Sequence, residues 1–413
     1  MDKDQHPKIN VLFAPAHYLV DESAGSEFAW AYNIVRFLSR DPRLSLRVIG
    51  GTINAQGLSS SAELFPLYRS AVRLTLSARL LFVYRVFCTA KTILNHSPVD
   101  IIHHILPFGY GQTFNLLPLL GRTRSIPFVV GPLQAPLQVP DSESMILVQD
   151  SGFRRLPLTS AAAGAQEAVL RLASPLLGVL SHKTLQAADA VICCSKAARK
   201  LYSPSVDARK VQVIPPGIDL DAFRYVERPK KKDLEIVTAC HLVKRKRVDL
   251  LIDAVAGLLP RYPTLRLRII GDGPEMRTLV SQVNRMALQG NVILEGFVPN
   301  HELEGYYQRA DLYCTLSLAE SFGQSLVEAM ATGLPVISFA NEGAREIIEN
   351  GVNGYLIEPG DELGALLECC EGLLADRELR VQLGRQARCT VEARYDWRVL
   401  AGRYVAIYEG LLG

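Results

Sequence analysis

The chain lacks any stretch of roughly 20 uncharged apolar residues, the length a membrane-spanning helix requires; its best run, Ala168 to Leu180, is broken by Arg171. A bilayer-spanning helical protein is not expected. Net charge is also scarce, since 45 Lys and Arg against 42 Asp and Glu leave +3. That is too little to argue for a nucleic-acid partner, and none is expected. No C-x-x-C occurs among the eight cysteines, whose adjacent pairs are Cys193-Cys194 and Cys369-Cys370. Neither a zinc site nor a disulfide framework is suggested, and the thiols read as reduced core residues. The opening segment MDKDQHPKINVLF has no apolar signal core and no small-residue cleavage site, so it reads as mature cytosolic sequence.

What is present suits a globular enzyme: 48% hydrophobic and 21% charged residues over 413 positions, enough for two domains with separate cores. Short apolar runs alternate with helical stretches, the order of a doubly wound parallel sheet. In the first half the runs are Lys8 to Pro15, Leu44 to Gly50, Val99 to Leu106, Phe128 to Gly131, Ala187 to Ser195 and Lys210 to Pro215. In the second they are Leu234 to Ala239, Leu265 to Ile270, Val292 to Leu294, Leu312 to Leu318, Val336 to Phe339 and Tyr355 to Ile357. The charged linker Arg224 to Asp233, RYVERPKKKD, separates the halves. The expected class is α/β, with Rossmann-like domains at 1–225 and 226–395 and a terminal segment, 396–413, built on an amphipathic helix from Trp397 to Leu412.

Chemistry concentrates between Asp311 and Gly360. The strand from Leu312 runs into Ala319, Glu320 and Ser321, and Phe322-Gly323 lead into a helix from Ser325. Glu320 thus stands at the carboxyl end of a strand, where open α/β sheets bind ligands, and Glu328 lies about one turn inside the helix. The amides of Phe322, Gly323, Gln324 and Ser325 lie at or near the helix start, where unpaired N–H groups and the dipole favour an anion such as a diphosphate, and Leu326 is counted with them as donor-binding. Carboxylates for hydroxyls and amides for phosphate describe a sugar nucleotide. The plainer alternative makes Glu328 an exposed helix residue and Glu320 a cap.

Glu320-x7-Glu328 followed by Ala329-Met330-Ala331-x-Gly333-x-Pro335-Val336-Ile337 resembles the donor-site signature of the retaining glycosyltransferases of family 4, which have the GT-B fold. The resemblance extends over Lys231 to Pro359, the family's donor domain. It implies two Rossmann-like domains facing across a cleft, with the C-terminus crossing back onto the first. It further implies that Glu320 contacts the transferred sugar, Glu328 the ribose hydroxyls, and the backbone around Val298 the nucleobase. In the family an Arg and a Lys five residues apart neutralise the diphosphate. Lys246 matches the Lys, but His241 stands at the Arg position, and Arg245 is the natural substitute within Lys244-Arg245-Lys246-Arg247. Those four cations follow a strand, so a solvated turn is the competing reading.

Other candidates are less specific. Asp21 to Phe28, with Gly25, forms the first strand-to-helix loop, where a doubly wound domain meets its ligand; in the resembled family it borders the acceptor and the donor phosphates. His103 and His104 alternate to opposite faces of their strand, so at most one points at a given partner. The family carries a histidine near the transferred sugar, which either residue matches, and a satisfied core histidine is the competing reading. Gly271-Asp272-Gly273-Pro274 permits close backbone approach to a ligand. Leu67 to Asn95 carries Arg69, Arg73, Arg79, Arg85 and Lys91 among apolar residues: either solvated cations, or a face for anionic lipid. Ser142 to Ser174 is assigned helices over the acceptor groove by analogy alone.

The expected function is retaining transfer of a hexosyl group from a nucleotide-diphospho-sugar to a lipid-linked or saccharide acceptor, in glycolipid or cell-surface polysaccharide synthesis. No cofactor and no metal are expected, no Asp-x-Asp pair closing a strand. The expected location is cytoplasmic, peripheral to the inner face of the cell membrane if the basic helix meets lipid. An epimerase or hydrolase on the same scaffold, or a catalytically silent binding protein, are the alternatives.

Overall fold

Val, Ile and Leu runs without polar alternation pair as parallel strands covered on both faces, and that is how this chain folds. The computed structural model describes residues 7–21, 26–69, 76–105, 114–121, 123, 125–135, 175–227 and 229–413. Two units result, Met1–Pro215 with Trp397–Gly413, and Pro216–Asp396.

In the first unit the strands are β1 (Ile9–Phe13), β2 (Leu19–Val20), β3 (Leu44–Gly50), β4 (Thr52–Ile53), β5 (Ala62–Pro66), β6 (Ile101–His104), β7 (Phe128–Leu133), β8 (Ala190–Cys193) and β9 (Val211–Val213). The main sheet runs β5-β3-β1-β6-β7-β8-β9, and β2 pairs with β4 separately. All of these pairs are parallel. The edge strand β5, AELFP, is half-buried and ends in Pro66, so it offers no continuous apolar run to a sequence reading. The helix Trp397–Leu412 buries Trp397, Tyr404 and Tyr408 in this unit's core, and the Trp397 ring stacks on Phe37 with centroids 6.0 Å apart. The segment Ser142 to Ser174 lies outside the described residues.

The second unit contains β10 (Glu235–Ala239), β11 (Arg266–Ile270), β12 (Val292–Gly296), β13 (Leu312–Thr315), β14 (Val336–Phe339) and β15 (Tyr355–Ile357), all parallel. Their order is β12-β11-β10-β13-β14-β15. Counted within the unit this is third, second, first, fourth, fifth, sixth, the doubly wound order whose direction reverses between β10 and β13. Ile236 pairs with Leu312 and Val237 with Tyr313 across that reversal.

The chain enters this unit earlier than the charged linker suggests. Ile218, Leu220 and Phe223 are buried in the second core beside Val237 and Tyr307, and Ile218 N–H donates to the Tyr395 carbonyl at 2.7 Å. Three apolar side chains decide the boundary, and the hydrophilic stretch after them does not. At the other end of the signature, Gly333 adopts φ +76 just past the helix Gln324–Ala331. Only glycine takes this left-handed position without strain, which ends the helix and starts the turn into Pro335.

Candidate donor site

The strand order reverses between β10 and β13, and at such a reversal an open α/β sheet binds its ligand beyond the carboxyl ends of the strands. After β10 the chain makes a 3-10 turn over Lys244–Lys246, and Arg247 then takes a left-handed φ of 49 before the helix Val248–Leu258. With about three residues per turn, successive side chains fan apart. Lys244 is exposed, while Arg247 turns aside to Glu362 at 3.4 Å and Asp249 at 3.6 Å. Arg245 and Lys246 point at the Glu320 loop.

Their roles there differ. Lys246 Nζ donates directly to Glu320 Oε1, whereas Arg245 Nη1 donates to the Ala319 carbonyl at 2.8 Å and to Ser317 Oγ at 3.3 Å. The Arg245 carbonyl also accepts from Leu318 N–H at 2.9 Å. Arg245 therefore supports the loop and also pairs with Glu320 Oε1 at 3.6 Å, while Lys246 makes the direct hydrogen bond to the carboxylate. Burial pushes the Glu320 carboxyl up, but Lys246 and then Arg245 more than offset it, holding the group below its ordinary range. Two further residues, which the sequence reading missed, pin the same loop. Asn341 Nδ2 donates to the Ser317 carbonyl at 2.8 Å, and Gly343 N–H donates to the Glu320 carbonyl at 3.1 Å. A Cβ on Gly343 would sit 2.4 Å from the Phe322 carbonyl oxygen, so the approach requires glycine.

Glu328 is not an exposed helix residue: it is 3% exposed. Asn300 Nδ2 donates to its Oε1 at 3.1 Å and Tyr307 O–H to its Oε2 at 3.4 Å. Burial nevertheless pushes its carboxyl up to about 7. Tyr313 on β13 is within electrostatic reach of both Glu320 and Glu328 and donates to Ser325 Oγ at 2.7 Å. Asn300 and Tyr307 were also missed; from sequence they read as ordinary polar and core positions of a helix.

At the helix start Gly323 has φ +107 and no side chain caps the first turn. Gln324 Oε1 is buried and, among the described residues, has no hydrogen-bond partner. A ligand hydroxyl would satisfy it. Leu326 departs from expectation, because its side chain is buried in the core and its amide donates to the Gly323 carbonyl at 3.1 Å. Val298 packs partly buried on the same core, while its neighbour Phe297 is 75% exposed at the end of β12.

The glycines after β11 let the chain pass close to its own backbone. A Cβ on Gly271 (φ +130) would lie 1.8 Å from the Cys240 carbonyl oxygen, and one on Gly273 would lie 2.4 Å from that of Leu242. His241 Nδ1–H donates to the Asp272 carbonyl at 2.7 Å.

His103 and His104 belong to the first unit and are both fully buried. The His103 ring is committed: Nε2–H donates to the Gly131 carbonyl at 3.0 Å and Nδ1 accepts from Tyr408 O–H at 2.7 Å. It is a core histidine. His104 Nδ1 accepts from Asn115 at 3.2 Å, and its Nε2 has no partner among the described residues. Burial pushes both down, to about 4 and about 3, so both are neutral at pH 7. A central strand covered on both faces gives two adjacent residues two cores to enter. Gly25 lies outside the described residues.

Asp219-Leu220-Asp221 has the Asp-x-Asp spacing, but Leu220 is in the core and Asp219 Oδ1 accepts from the Asp221 amide at 3.0 Å. Among the described residues no group of three or more His, Cys, Asp or Glu is placed to hold a metal ion, and no helix is long and apolar enough to cross a membrane.

Known proteins share this fold. Over 97% of this chain and 100% of its own, the crystal structure of Anabaena HepE in complex with UDP-glucose superposes with a TM-score of 0.65 at 19% identity. Sucrose-phosphate synthase from Thermosynechococcus elongatus does so over 98% and 99% with a TM-score of 0.68, also at 19%. Among curated relatives, N-acetyl-alpha-D-glucosaminyl L-malate synthase of Bacillus anthracis is 34% identical over 41% of this chain and 43% of its own length. The GDP-mannose-dependent alpha-(1-6)-phosphatidylinositol monomannoside mannosyltransferase of Mycolicibacterium smegmatis is 28% identical over 54% and 63%. The chain thus spans less than two thirds of the length of these curated relatives. The model for glycosyl transferases group 1 matches residues 220–390 and that for Glycosyltransferase Family 4 matches 53–222, together most of the chain. With two parallel-sheet α/β domains of the GT-B fold and both models matched in succession, the chain belongs to the group 1, family 4 glycosyltransferases.

Proposed function

We propose that the protein is a retaining glycosyltransferase that moves a hexosyl group from a nucleotide-diphospho-sugar to a hydroxyl of a lipid-linked or saccharide acceptor, in glycolipid or cell-surface polysaccharide synthesis. The observation that carries this reading is the meeting of Lys246 with Glu320 at the reversal of the second sheet, on the same sheet edge as the buried Glu328. A paired ammonium and carboxylate suit the two halves of such a donor. Lys246 faces the diphosphate, and Glu320 the hydroxyls of the sugar. Glu328, held through Asn300 and Tyr307, accepts from the ribose hydroxyls, and the amides of Gln324 and Ser325 complete the phosphate contacts. The curated relatives, named for mannosyl and N-acetylglucosaminyl transfer, agree with a hexosyl donor.

In the transfer the bond from the anomeric carbon to the leaving phosphate breaks and a bond to the acceptor oxygen forms on the same face. The acceptor proton passes to the departing phosphate oxygen, so no protein base is required. Negative charge grows on the diphosphate as it leaves, and Lys246 stabilises that charge more in the transition state than in the ground state. Because the protein supplies the positive charge, turnover is expected to survive chelation of divalent metals.

A thermal-shift panel of nucleotide-diphospho-sugars identifies the donor, and incubation of the labelled donor with a membrane lipid extract identifies the product. Labelled glycolipid or polymer is the expected outcome, undiminished by EDTA. Free altered sugar would make the protein an epimerase or hydrolase, and no donor shift across the panel would sink the reading altogether.

A further inference from the structure

The ribose of a nucleotide brings two adjacent hydroxyls, and the free lone pairs of Glu328 are too few for both. An ionised carboxylate offers about four acceptor positions on its two oxygens. Asn300 Nδ2 takes one on Oε1 at 3.1 Å and the Tyr307 hydroxyl one on Oε2 at 3.4 Å. The Gln324 side chain supplies a third hydrogen bond to the same carboxylate. It reaches because Gln324 and Glu328 stand one turn apart on one face of the helix Gln324–Ala331, where side chains lean toward the N-terminus. One acceptor position is left, enough for a single hydroxyl.

The same bond orients the Gln324 amide. Only its Nε2 end carries hydrogens, so that end meets the carboxylate and Oε1 turns away. Oε1 is buried and has no hydrogen-bond partner among the described residues. Donors of the site are committed elsewhere: the Tyr313 hydroxyl to Ser325 Oγ at 2.7 Å, Arg245 Nη1 to the Ala319 carbonyl at 2.8 Å, and Lys246 to Glu320. A buried carbonyl oxygen without a donor is costly, and it calls for an O–H or N–H from the occupant of the site. Ionised diphosphate oxygens cannot serve, since they only accept. A hydroxyl beside the one that Glu328 takes can. We propose that Gln324 and Glu328 divide the ribose diol between them, one hydroxyl donating to Glu328 and the other to Gln324 Oε1, which makes Gln324 a specificity-determining residue for ribonucleotide over deoxyribonucleotide donors. The proposal rests on the nucleotide-diphospho-sugar reading above and adds how the nucleoside is selected. Loss of either hydroxyl leaves a buried acceptor unpaired, and a site built to hydrogen-bond a hydroxyl rejects the analogue that lacks it.

The test is calorimetric titration of the full chain at pH 8, on the ionised side of Glu328, with UDP, GDP and ADP, and with the 2′-deoxy and 3′-deoxy counterparts of each that binds. Wild type should bind each deoxy form at least about fivefold more weakly than the ribo form. In Gln324→Met, which keeps the length of the side chain and removes the acceptor, one of these two penalties should shrink to within about twofold while the other persists. Gln324→Leu should behave alike, and circular dichroism melts show that each variant is folded. Both penalties intact in the two variants would overturn the division of the diol. An equal loss of affinity for ribo and deoxy forms would overturn it too, since Gln324 would then act through the loop alone. Failure of wild type to bind any of the three diphosphates would overturn the donor reading itself, and this proposal with it.

Discussion

Glu328 combines two demands that conflict. Its carboxyl is buried, and burial raises it from the usual 4.5 to about 7, yet a ribose diol is best met by the ionised form. The unfolded chain has the ordinary value, so the stability this group contributes is complete below pH 4.5 and is lost as pH rises through about 7. Above neutrality the ion is held at a cost of up to about 3 kcal/mol. Glu328→Gln should therefore raise the melting temperature at pH 8 and lose that advantage toward pH 4, while donor affinity falls about tenfold or more. Wild-type donor affinity should likewise decline as pH falls below about 7. Melts and nucleotide titrations across pH check both; a variant less stable than wild type at pH 8 would show that burial of Glu328 is not costly. Among the cations, Lys246→Ala should lower turnover at saturating donor at least about tenfold, roughly 1.4 kcal/mol of transition-state stabilisation, and Lys244→Ala should change little. Arg245→Ala should reduce stability as well as rate, because its guanidinium holds the loop carbonyl of Ala319. A dead Arg245→Ala of unchanged stability beside an active Lys246→Ala would exchange the two assignments. His241→Arg should be tolerated, since it returns the charge the family uses at that position.

At the scale of elements, the site is two loops from adjacent strands and the short helix that pins one of them. Gly343, in the helix Glu342–Ile347, approaches the Glu320 loop so closely that a methyl group would contact the Phe322 carbonyl at 2.4 Å and that of Glu320 at 3.0 Å. Gly343→Ala should displace Glu320 and lower turnover by about tenfold or more while shifting the melt by only about 1 to 2 kcal/mol. Steady-state kinetics beside a denaturant titration measures the two, and full activity would mean the loop tolerates the shift. Glu320, Glu328 and the strand-loop-helix order were legible in the residues, because a strand end and a helix start are local patterns. Gly343, Asn341, Asn300 and Tyr307 were not, because each acts through a contact with a different element, and nothing local marks the partner. The glycines at 271 and 273 were visible, but the backbone they approach was not, for the same reason. Their close neighbour is the backbone after β10, about thirty residues earlier in the chain.

Across the whole molecule, the last helix decides how the first unit is finished. Trp397, Tyr404 and Tyr408 are fully buried there, and the Tyr408 hydroxyl supplies the Nδ1 partner of His103 from 305 positions away. Tyr408→Phe should cost about 1 to 3 kcal/mol by leaving that nitrogen buried and unpaired. Because the hydroxyl belongs to the first unit's core, the loss should appear as faster proteolysis of that unit, with nucleotide binding by the second unchanged. An equal loss of nucleotide affinity would contradict this.

The residues alone determined the α/β alternation, the two-sheet organisation, the family and the pair of carboxylates, since each is written in hydrophobic period and short spacings that survive without knowledge of contacts. Tertiary structure decided which of four consecutive cations reach Glu320, how the His103 ring is held in the core, and where the second unit begins. Those answers depend on side-chain direction and on burial by distant segments. Neither quantity exists until the sheets have formed.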